Sequence, residues 1–476
     1  MIKQCITSCL KRLSLSALAL AVAAPTLSQP ISLPAPKSTH TIGTTMTMRD
    51  AVFLALRNNP DLISAELDRV TDKYALILAR NQYMPHFTLG GIFTANSGTH
   101  ATSTVSPISA SIDQSPLGVT GSLSYDPTSG SMNLDVKKEL WAGNSYVANM
   151  DPLWTAQENE IIAQMTYKDN IVDIIHKTTQ AYRELALSKL SLVIERASLD
   201  SYLEQLKDAK LKLKLGRGTQ FDVNQSKLNI ATSKSNVVTD QQQIQTDRAS
   251  LSEILGLDPA VKIHISDNIP LPHVHMVSLT KAIKMALTRS TAYRQAQITL
   301  KQAKRQLVIN RNAAKPQLSY EATGTLGGNT PGPHVTNTIT WGIPIDNVQN
   351  KYNIIAARIT VIKDQQALTT VRNSVVSQTT LNYNALQKAQ VSWGLANQTL
   401  ALNEETVKQQ TAQFQAGKIN LFQLSTAKQT LTQTRNDLLT SKNSLWDDLE
   451  AFQTNIGTVL SSWNISLKPI HIKSVS

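Results

Sequence analysis

Residues 48–60 read MRDAVFLALRNNP, and residues 279–291 read LTKAIKMALTRST. The second stretch is a worn copy of the first. Ala51, Val52, Leu54, Ala55 and Leu56 fall on Ala282, Ile283, Met285, Ala286 and Leu287 at a constant offset of 231. The match runs on from residues 48–91 over 279–322, placing Arg80 and Asn81 on Arg311 and Asn312, and Pro85 on Pro316. A second match, at an offset of 201, sets Gly216, Phe221, Val223, Lys227 and Gly256 on Gly417, Phe422, Leu424, Lys428 and Gly457. Units of roughly 200 residues are too long for solenoid repeats. They imply a pseudo-symmetric body in which each half supplies the same parts.

Between the matched stretches lie long helices. Residues 153–215 and 219–255 contain neither proline nor glycine, and residues 345–393 and 395–416 are parted by Gly394 after Pro344 is excepted. Helical stretches of this length exceed globular norms and point to coiled coil or an elongated bundle; the first would reach roughly 93 Å. Val223, Ile230, Val237, Ile244 and Leu251 recur every seven residues, matched in the second half by Leu424, Leu431, Leu438, Leu445 and Phe452. The alternate seam position is small or polar: Ser226, Ser233, Asp240 and Asp247, against Ala427, Thr434, Ser441 and Asp448. A seven-residue period imposes left-handed supercoiling. One large and one small or polar seam suits a helix with neighbours on both sides and a wet face, as in the wall of a wide tube. An ordinary antiparallel bundle is the simpler alternative.

Each half has one helical hairpin with a tight tip. The first tip, near 216–220, is Gly216-Arg217-Gly218-Thr219; the second, near 417–421, is Gly417-Lys418-Ile419-Asn420. Glycine just past a helix end is a C-terminal stop. Thr219 and Asn420 are N-caps for the returning helices.

After Pro85 and Pro316 the period changes to two. In 316–326, Leu318, Tyr320, Ala322, Gly324 and Leu326 alternate with Ser319, Glu321, Thr323 and Thr325; in 335–343, Val335, Ile339, Trp341 and Ile343 alternate with threonines. One apolar and one wet face is the pattern of a membrane barrel strand. The first half offers 86–94 and roughly 131–141, the latter less regular, with Asp135, Lys137 and Glu139 on one face. Four strands cannot close a barrel, and open edges are not tolerated in lipid. Several chains must therefore share one barrel; three would supply about 12 strands, within the known range. Residues 95–130, rich in Asn, Ser, Thr, Gly and Pro, read as an exposed outer loop, although Leu117–Tyr125 alternates.

The sequence divides into a signal peptide (1–28), an N-terminal extension (29–45), a first repeat (46–256, strand pair about 86–141), a linker (257–278), a second repeat (279–460, strand pair about 316–345) and a tail (461–476). The signal reading rests on Lys3, Lys11 and Arg12 ahead of a short apolar core, Leu13 to Ala24. Both cysteines, Cys5 and Cys9, fall inside it. The mature chain would then have no disulfide and no thiol chemistry. Removing the three basic residues lowers the formal charge from +12 to +9. The lysines are spread along helices without interleaved aromatics, so no nucleic acid is expected as a partner. No phosphate loop, nucleophile elbow or paired-carboxylate signature occurs. No histidines show zinc-protease spacing; His273 and His275, at i,i+2, could share a metal but read as a solvated pair in the linker, and His176 sits in a helix. No catalytic residue, metal or cofactor is expected.

With these parts in this order the chain resembles the TolC-like outer-membrane efflux protein family. The resemblance covers about 46–460 and is carried by Asp50-Ala51 through Asn58-Asn59-Pro60-Asp61-Leu62, the proline before each strand pair, Gly342-Ile343-Pro344-Ile345, and Gly417 through Leu424. It implies an α+β membrane protein: a long antiparallel coiled-coil helical barrel joined to a trimer-shared 12-stranded antiparallel β-barrel, built from two internal repeats. It implies a homotrimer in the outer membrane of a Gram-negative cell, its helical part in the periplasm. Such a duct receives substrates from an inner-membrane transporter through a periplasmic adaptor, for drug efflux or type I protein secretion. The gate and adaptor-docking tips would comprise Gly216, Thr219, Asp222, Phe414, Gly417, Ile419, Asn420, Gln423 and Thr426. TolC itself has an acidic pair where this chain has Gln423 and Thr426, arginine at Ile419 and tyrosine at Phe414. The resemblance therefore implies a gate held more by packing, with Asp222 the one candidate charge. The alternatives are a soluble periplasmic coiled-coil scaffold or adaptor, which does not account for the paired alternating strands, and an envelope hydrolase, which lacks a catalytic set.

Overall fold

The computed structural model describes residues 45–465, apart from 90–107, 127–128, 259–260, 262, 267–270, 273, 275, 329–331, 344 and 346. The expected signal peptide, most of the N-terminal extension, and His273 and His275 of the linker lie outside the described residues. Two short helices, α1 (Met48–Asn58) and α2 (Pro60–Asn81), lead to strands β1 (His86–Leu89), β2 (Ile108–Ile112), β3 (Val119–Asp126) and β4 (Ser131–Glu139). The long helices α3 (Tyr146–Lys214) and α4 (Gln220–Ile254) follow. Then come α5 (Leu279–Arg289), α6 (Thr291–Ala313), β5 (Gln317–Gly327), β6 (His334–Gly342), α7 (Val348–Gln415), α8 (Leu421–Asn455) and the single turn α9 (Val459–Ser462).

Local chemistry sets the helix starts. Thr47 and Asp50 form a reciprocal capping box at α1, and Asn59 caps α2 ahead of Pro60 at the first helical position. The long helices show almost no net amphipathicity because the buried stripe wanders, as expected where successive neighbours change. α3 packs on α2 and α6 in one layer and on α4 and α8 in another; α7 packs on α6, then on α8.

All six strands form one antiparallel sheet in the order β1-β2-β3-β4-β5-β6. Two strands were expected between 86 and 141; four are present. Ile108, Ala110 and Ile112 and then Val119, Gly121, Leu123 and Tyr125 alternate with small polar residues. Serine and threonine stretches pass for loops by composition, but they pair well when a neighbouring strand offers a matching face. Register carries the alternation across the sheet: Ile108 opposes Tyr125, which opposes Met132, which opposes Leu326. Leu134 opposes Gly324, which opposes Val335, and Leu318 opposes Trp341. The other face holds Ser, Thr and Asn with Asp135, Lys137, Glu139 and Glu321, the first two of these opposite Thr323 and Glu321. The apolar face is uncovered: Phe87 is 83% exposed and Trp341 72%. Among the described residues no partner strand lies beyond β1 or β6.

The helical layer has matching open margins. On α7, Val348, Tyr352, Ile355, Ile359 and Ile362 are exposed at alternating spacings of three and four. On α2, Ile63, Leu67, Tyr74 and Ile77 form a similar exposed stripe.

Two buried arginines pin α3. Arg305 of α6 makes a bidentate pair with Glu158 (2.8 and 2.7 Å) and bonds Asp151 at 2.6 Å. Arg183 of α3 is fully buried; it bonds Glu450 at 2.6 and 3.1 Å, Asp447 at 2.6 Å and the Asn443 side chain at 3.1 Å, all on α8. The Glu450 carboxylate also bonds His176 at 2.9 Å. Directly before Arg183 in the chain, the Tyr182 hydroxyl donates to the Met46 carbonyl at 2.9 Å and reaches that of Ser266 at 3.1 Å. Beside this clamp, Leu386, Ala389, Leu445, Leu449 and Phe452 join α7 to α8, with Ala282 and Ala286 of α5 beneath them.

Candidate functional site at the hairpin tips

Both tips are built from the same backbone motif. Gly216 (φ 65°) and Gly417 (φ 73°) take the left-handed conformation that lets the helix stop. The amides of Arg217 and Lys418 then bond back to the carbonyls of Lys212 (2.8 Å) and Gln413 (2.9 Å), closing the last turn of each ascending helix. The returning helix starts with a capping box in each case. At the first tip Asp222 N–H donates to Thr219 Oγ1 at 3.2 Å, and Asp222 Oδ2 accepts from Thr219 N–H at 3.0 Å and from its hydroxyl at 2.7 Å. At the second tip Gln423 N–H donates to Asn420 Oδ1 at 2.9 Å and Asn420 N–H to Gln423 Oε1 at 3.2 Å.

These bonds explain two sequence-chosen residues in a plainer way. The Asp222 carboxylate is committed to its own helix start, where negative charge also meets the helix dipole favourably. Gln423 does the same task at the second tip without a charge. Thr426 Oγ1 donates to the Phe422 carbonyl at 3.0 Å, within its own helix.

Side-chain packing joins the two tips. Phe414 of α7, 9% exposed, lies with Leu421 and Leu424 of α8 against Ala209 of α3 and Val223 of α4. Leu206, Leu213 and Ile419 pack on the margin. The Lys212 ammonium sits 3.5 Å from the centre of the Phe414 ring, a cation–π contact. Above this patch, Asn229 bonds Ser425 at 2.6 Å and Lys428 bonds Ser201 at 2.6 Å. Burial holds the Lys428 ammonium below its ordinary pKa. On the far side of the second hairpin, Gln423, Thr426 and exposed Phe422 line a groove of about 390 Å³ with Asn403, Thr406, Gln410, Ala427 and Thr430.

The nine sequence-chosen residues thus divide. Phe414 and Ile419 meet in the inter-tip patch, Gln423 and Thr426 line the groove, and Gly216, Thr219, Asp222, Gly417 and Asn420 shape the turns. Sequence reasoning missed Asn229, Ser425 and Lys428. The duplication held a usable signal for one of them: Lys428 is the counterpart of Lys227, and both sit one helical turn past a matched apolar seam position.

No group of histidine, cysteine and acidic residues among the described residues is arranged to hold a metal ion. No helix among the described residues is long and apolar enough to cross a membrane, which says nothing about the sheet.

Comparison with known proteins places this arrangement. The chain's structure superposes on the CmeC outer membrane channel of Campylobacter jejuni with a TM-score of 0.65 at 14% identity, covering 86% of this chain and 85% of that one. It matches the outer membrane protein VceC of Vibrio cholerae with a TM-score of 0.64 at 14% identity, covering 86% and 96%. It matches the open state of the Neisseria gonorrhoeae MtrE outer membrane channel with a TM-score of 0.64 at 12% identity, covering 86% and 88%. At such identities the likeness speaks for the fold alone. No curated protein sequence matches. The family model for outer membrane efflux proteins, however, matches residues 52–257 and 282–458, most of the chain, and the chain belongs to that outer membrane efflux protein family.

Proposed function

We propose that three copies of the chain close into one outer-membrane duct. It would pass substrates from an inner-membrane transporter, joined through a periplasmic adaptor, in drug efflux or type I secretion. The observation that carries this reading is the six-stranded sheet with one register-matched apolar face and two edges that have no partner strand among the described residues. A bare edge cannot stand in hydrocarbon, so β6 of one copy must meet β1 of the next. The exposed stripes on α7 and α2 lie at the same two margins and would pack head to tail, a contact that closes a ring when the rotation fits. The polar face then lines the lumen and the apolar face meets lipid. The resemblance implies four strands per copy and twelve in all, whereas six per copy make eighteen. Barrel diameter in a density map separates the two, because it grows with strand number.

The helices would stand in the periplasm with their tips toward the adaptor. The duct does no chemistry; it is gated at those tips. Packing around Phe414 supports a latch of apolar contact, with no carboxylate of the second tip to help it.

The deciding measurement is the native mass of the detergent-extracted protein. Three chains per particle are expected, and Ile355→Asp with Ile359→Asp should leave single chains. A wild-type monomer released without detergent refutes the duct.

A further inference from the structure

One charge interrupts the apolar face of the sheet. Among the described strand residues on that face, from Phe87 in β1 to Trp341 in β6, Lys138 is the one charged side chain. It opposes Val119 on β3 and Tyr320 on β5. Lys137, the residue before it, faces the other way and pairs with Glu139 at 3.0 Å. Lys138 forms no ion pair among the described residues. A charge on such a face is costly at the middle of a bilayer and tolerated near its margin. The margin is visible here. Leu140 donates its amide to the Leu318 carbonyl, Leu318 opposes Trp341, and Trp141 and Trp341 are both exposed at this helix-proximal end. Tryptophan gathers where hydrocarbon meets water. Lys138 stands one row of side chains farther into the sheet, so its stem can lie on apolar surface while the ammonium reaches back to the margin.

Beside this lysine the sheet is hollow. Successive rows across β2, β3 and β4 read Ile112–Gly121–Val136 and Ala110–Leu123–Leu134. Gly121 has no side chain and Ala110 only a methyl group, and these six residues line a groove of about 720 Å³, the size of a small-molecule site. Pro85, Pro116 and Leu117 line its helix-proximal end. The β2–β3 turn that carries Pro116 is seated on the start of α3, where Asn149 donates to the Pro116 carbonyl at 3.5 Å. Gly118 in that turn has φ 67°, and a Cβ there would lie 2.9 Å from the Asn149 side-chain nitrogen, so the turn fits against the helix only as glycine. Val119, which opposes Lys138, and Val136, two residues before it, both line the groove. The ammonium and the groove are therefore neighbours.

We propose that the groove holds an acyl chain of one anionic phospholipid, with Lys138 on the lipid phosphate. This rests on the reading of the apolar face as the lipid-facing wall of a duct. Three features select this occupant. The apolar lining accepts a hydrocarbon chain and offers nothing to a polar ligand. The ammonium lacks a countercharge from the protein, and a phosphate supplies one. The helices stand in the periplasm under the same reading, so Lys138 lies at the headgroup level of the periplasmic leaflet. A chain seated there fills the hollow that Gly121 and Ala110 leave in the wall.

The test titrates phosphatidylglycerol and phosphatidylethanolamine, with the same acyl chains, into the detergent-extracted protein and counts bound lipid by native mass. One phosphatidylglycerol per chain is expected, held about fivefold tighter than phosphatidylethanolamine, the worth of one lysine beside an anionic surface. Lys138→Gln should erase that preference and Lys138→Arg should keep it. Ala110→Leu, which fills the groove, should weaken both lipids about tenfold, the loss of two buried methylenes. Equal binding of the two lipids by the wild type overturns the proposal, and so does a preference that survives Lys138→Gln. With Cys5 and Cys9 replaced by serine, Ala110→Cys in detergent should react with a maleimide, and phosphatidylglycerol should slow the reaction. Protection before lipid is added means that another segment of this chain or a second copy covers the groove, which also overturns it. The mass keeps the two readings apart: a monomer released without detergent refutes the duct, whereas a detergent-extracted trimer that does not distinguish the lipids refutes the lipid site alone.

Discussion

Replacing Phe414 by alanine removes the ring that holds the two tips of one chain together. In a closed core, truncating phenylalanine to alanine costs about 3–5 kcal/mol. Phe414 is 9% exposed, and its patch of Ala209, Val223, Leu421 and Leu424 opens to solvent at the turns. The lower end of that range, about 3 kcal/mol, is therefore the expected local loss. The contact with Lys212 is lost with the ring. At about 1.4 kcal/mol per tenfold, the population with parted tips rises by about a hundredfold. Val223→Cys, on the buried side of the patch, reports this directly. When parting is fast and rare, the rate of maleimide labelling follows the parted population. The expected acceleration is about two orders of magnitude at Val223→Cys and none at Ala389→Cys, which lies in the cluster beside the Arg183 clamp. A change of less than about threefold, roughly 0.7 kcal/mol, refutes the latch. Equal acceleration at both sites refutes it as well, because the loss would then be global.

The Arg183 clamp should impose a pH dependence. The Glu450 carboxylate holds the His176 imidazole above its ordinary value, while burial, pulling Glu450 up, is more than reversed by His176 and Arg183. The His176 contribution is full below its unfolded value and fades as pH rises through its raised folded value. That of Glu450 is full above its unfolded value and fades as pH falls through its lowered one. Thermal stability should therefore drop as pH rises from about 6.5 through the raised His176 value, and His176→Gln should flatten that drop; an unchanged slope contradicts the assignment. Arg183→Met leaves Glu450 buried without its main partner and should cost about 3–5 kcal/mol in unfolding, against little for Lys177→Met on the exposed face. Ile339→Lys puts a charge on the apolar face and should cost about 2–4 kcal/mol if that face meets lipid. Thr338→Lys should assemble normally, and equal yields of membrane-inserted protein would contradict the facing. Gln423→Asp with Thr426→Asp should raise cation preference in bilayer conductance; unchanged selectivity excludes these positions from the narrowest part of the path.

Sequence pattern carried the local parts of this structure well. Period two marked β5 and β6, glycine and cap residues marked both tips, and the seven-residue seam of α4 held, with Val223, Ile230, Ile244 and Leu251 all buried. The polar half of that seam was harder to read. Ser226, Ser233 and Asp247 are not wet but buried; Ser233 bonds Glu195 at 2.7 Å, and Asp247 takes the Ser188 hydroxyl. Nothing in the spacing of α4 announces a partner on α3, because hydrogen bonds between helices leave no period of their own. β2 and β3 were hidden for a related reason: serine-rich alternation becomes strand only when another strand supplies the facing residues. Arg183 is the extreme case, since its partners lie 260 to 267 residues away.

That separation has a consequence for how the chain acquires its structure. Synthesis and export both deliver the amino end first, so Arg183 emerges long before Glu450 exists to receive it. Helices can form as they appear, since their bonds are local, but a guanidinium destined for a dry seam must stay hydrated until α8 arrives. The clamp therefore closes late, and with it the fixed reference against which both hairpins are aligned. A chain cut short ahead of residue 443 would keep most of its helices and the Arg305 clamp between α6 and α3, but lose the seat that fixes α8 on α3. Quality control over assembly is thus written into the last tenth of the sequence, far from the strands of the sheet.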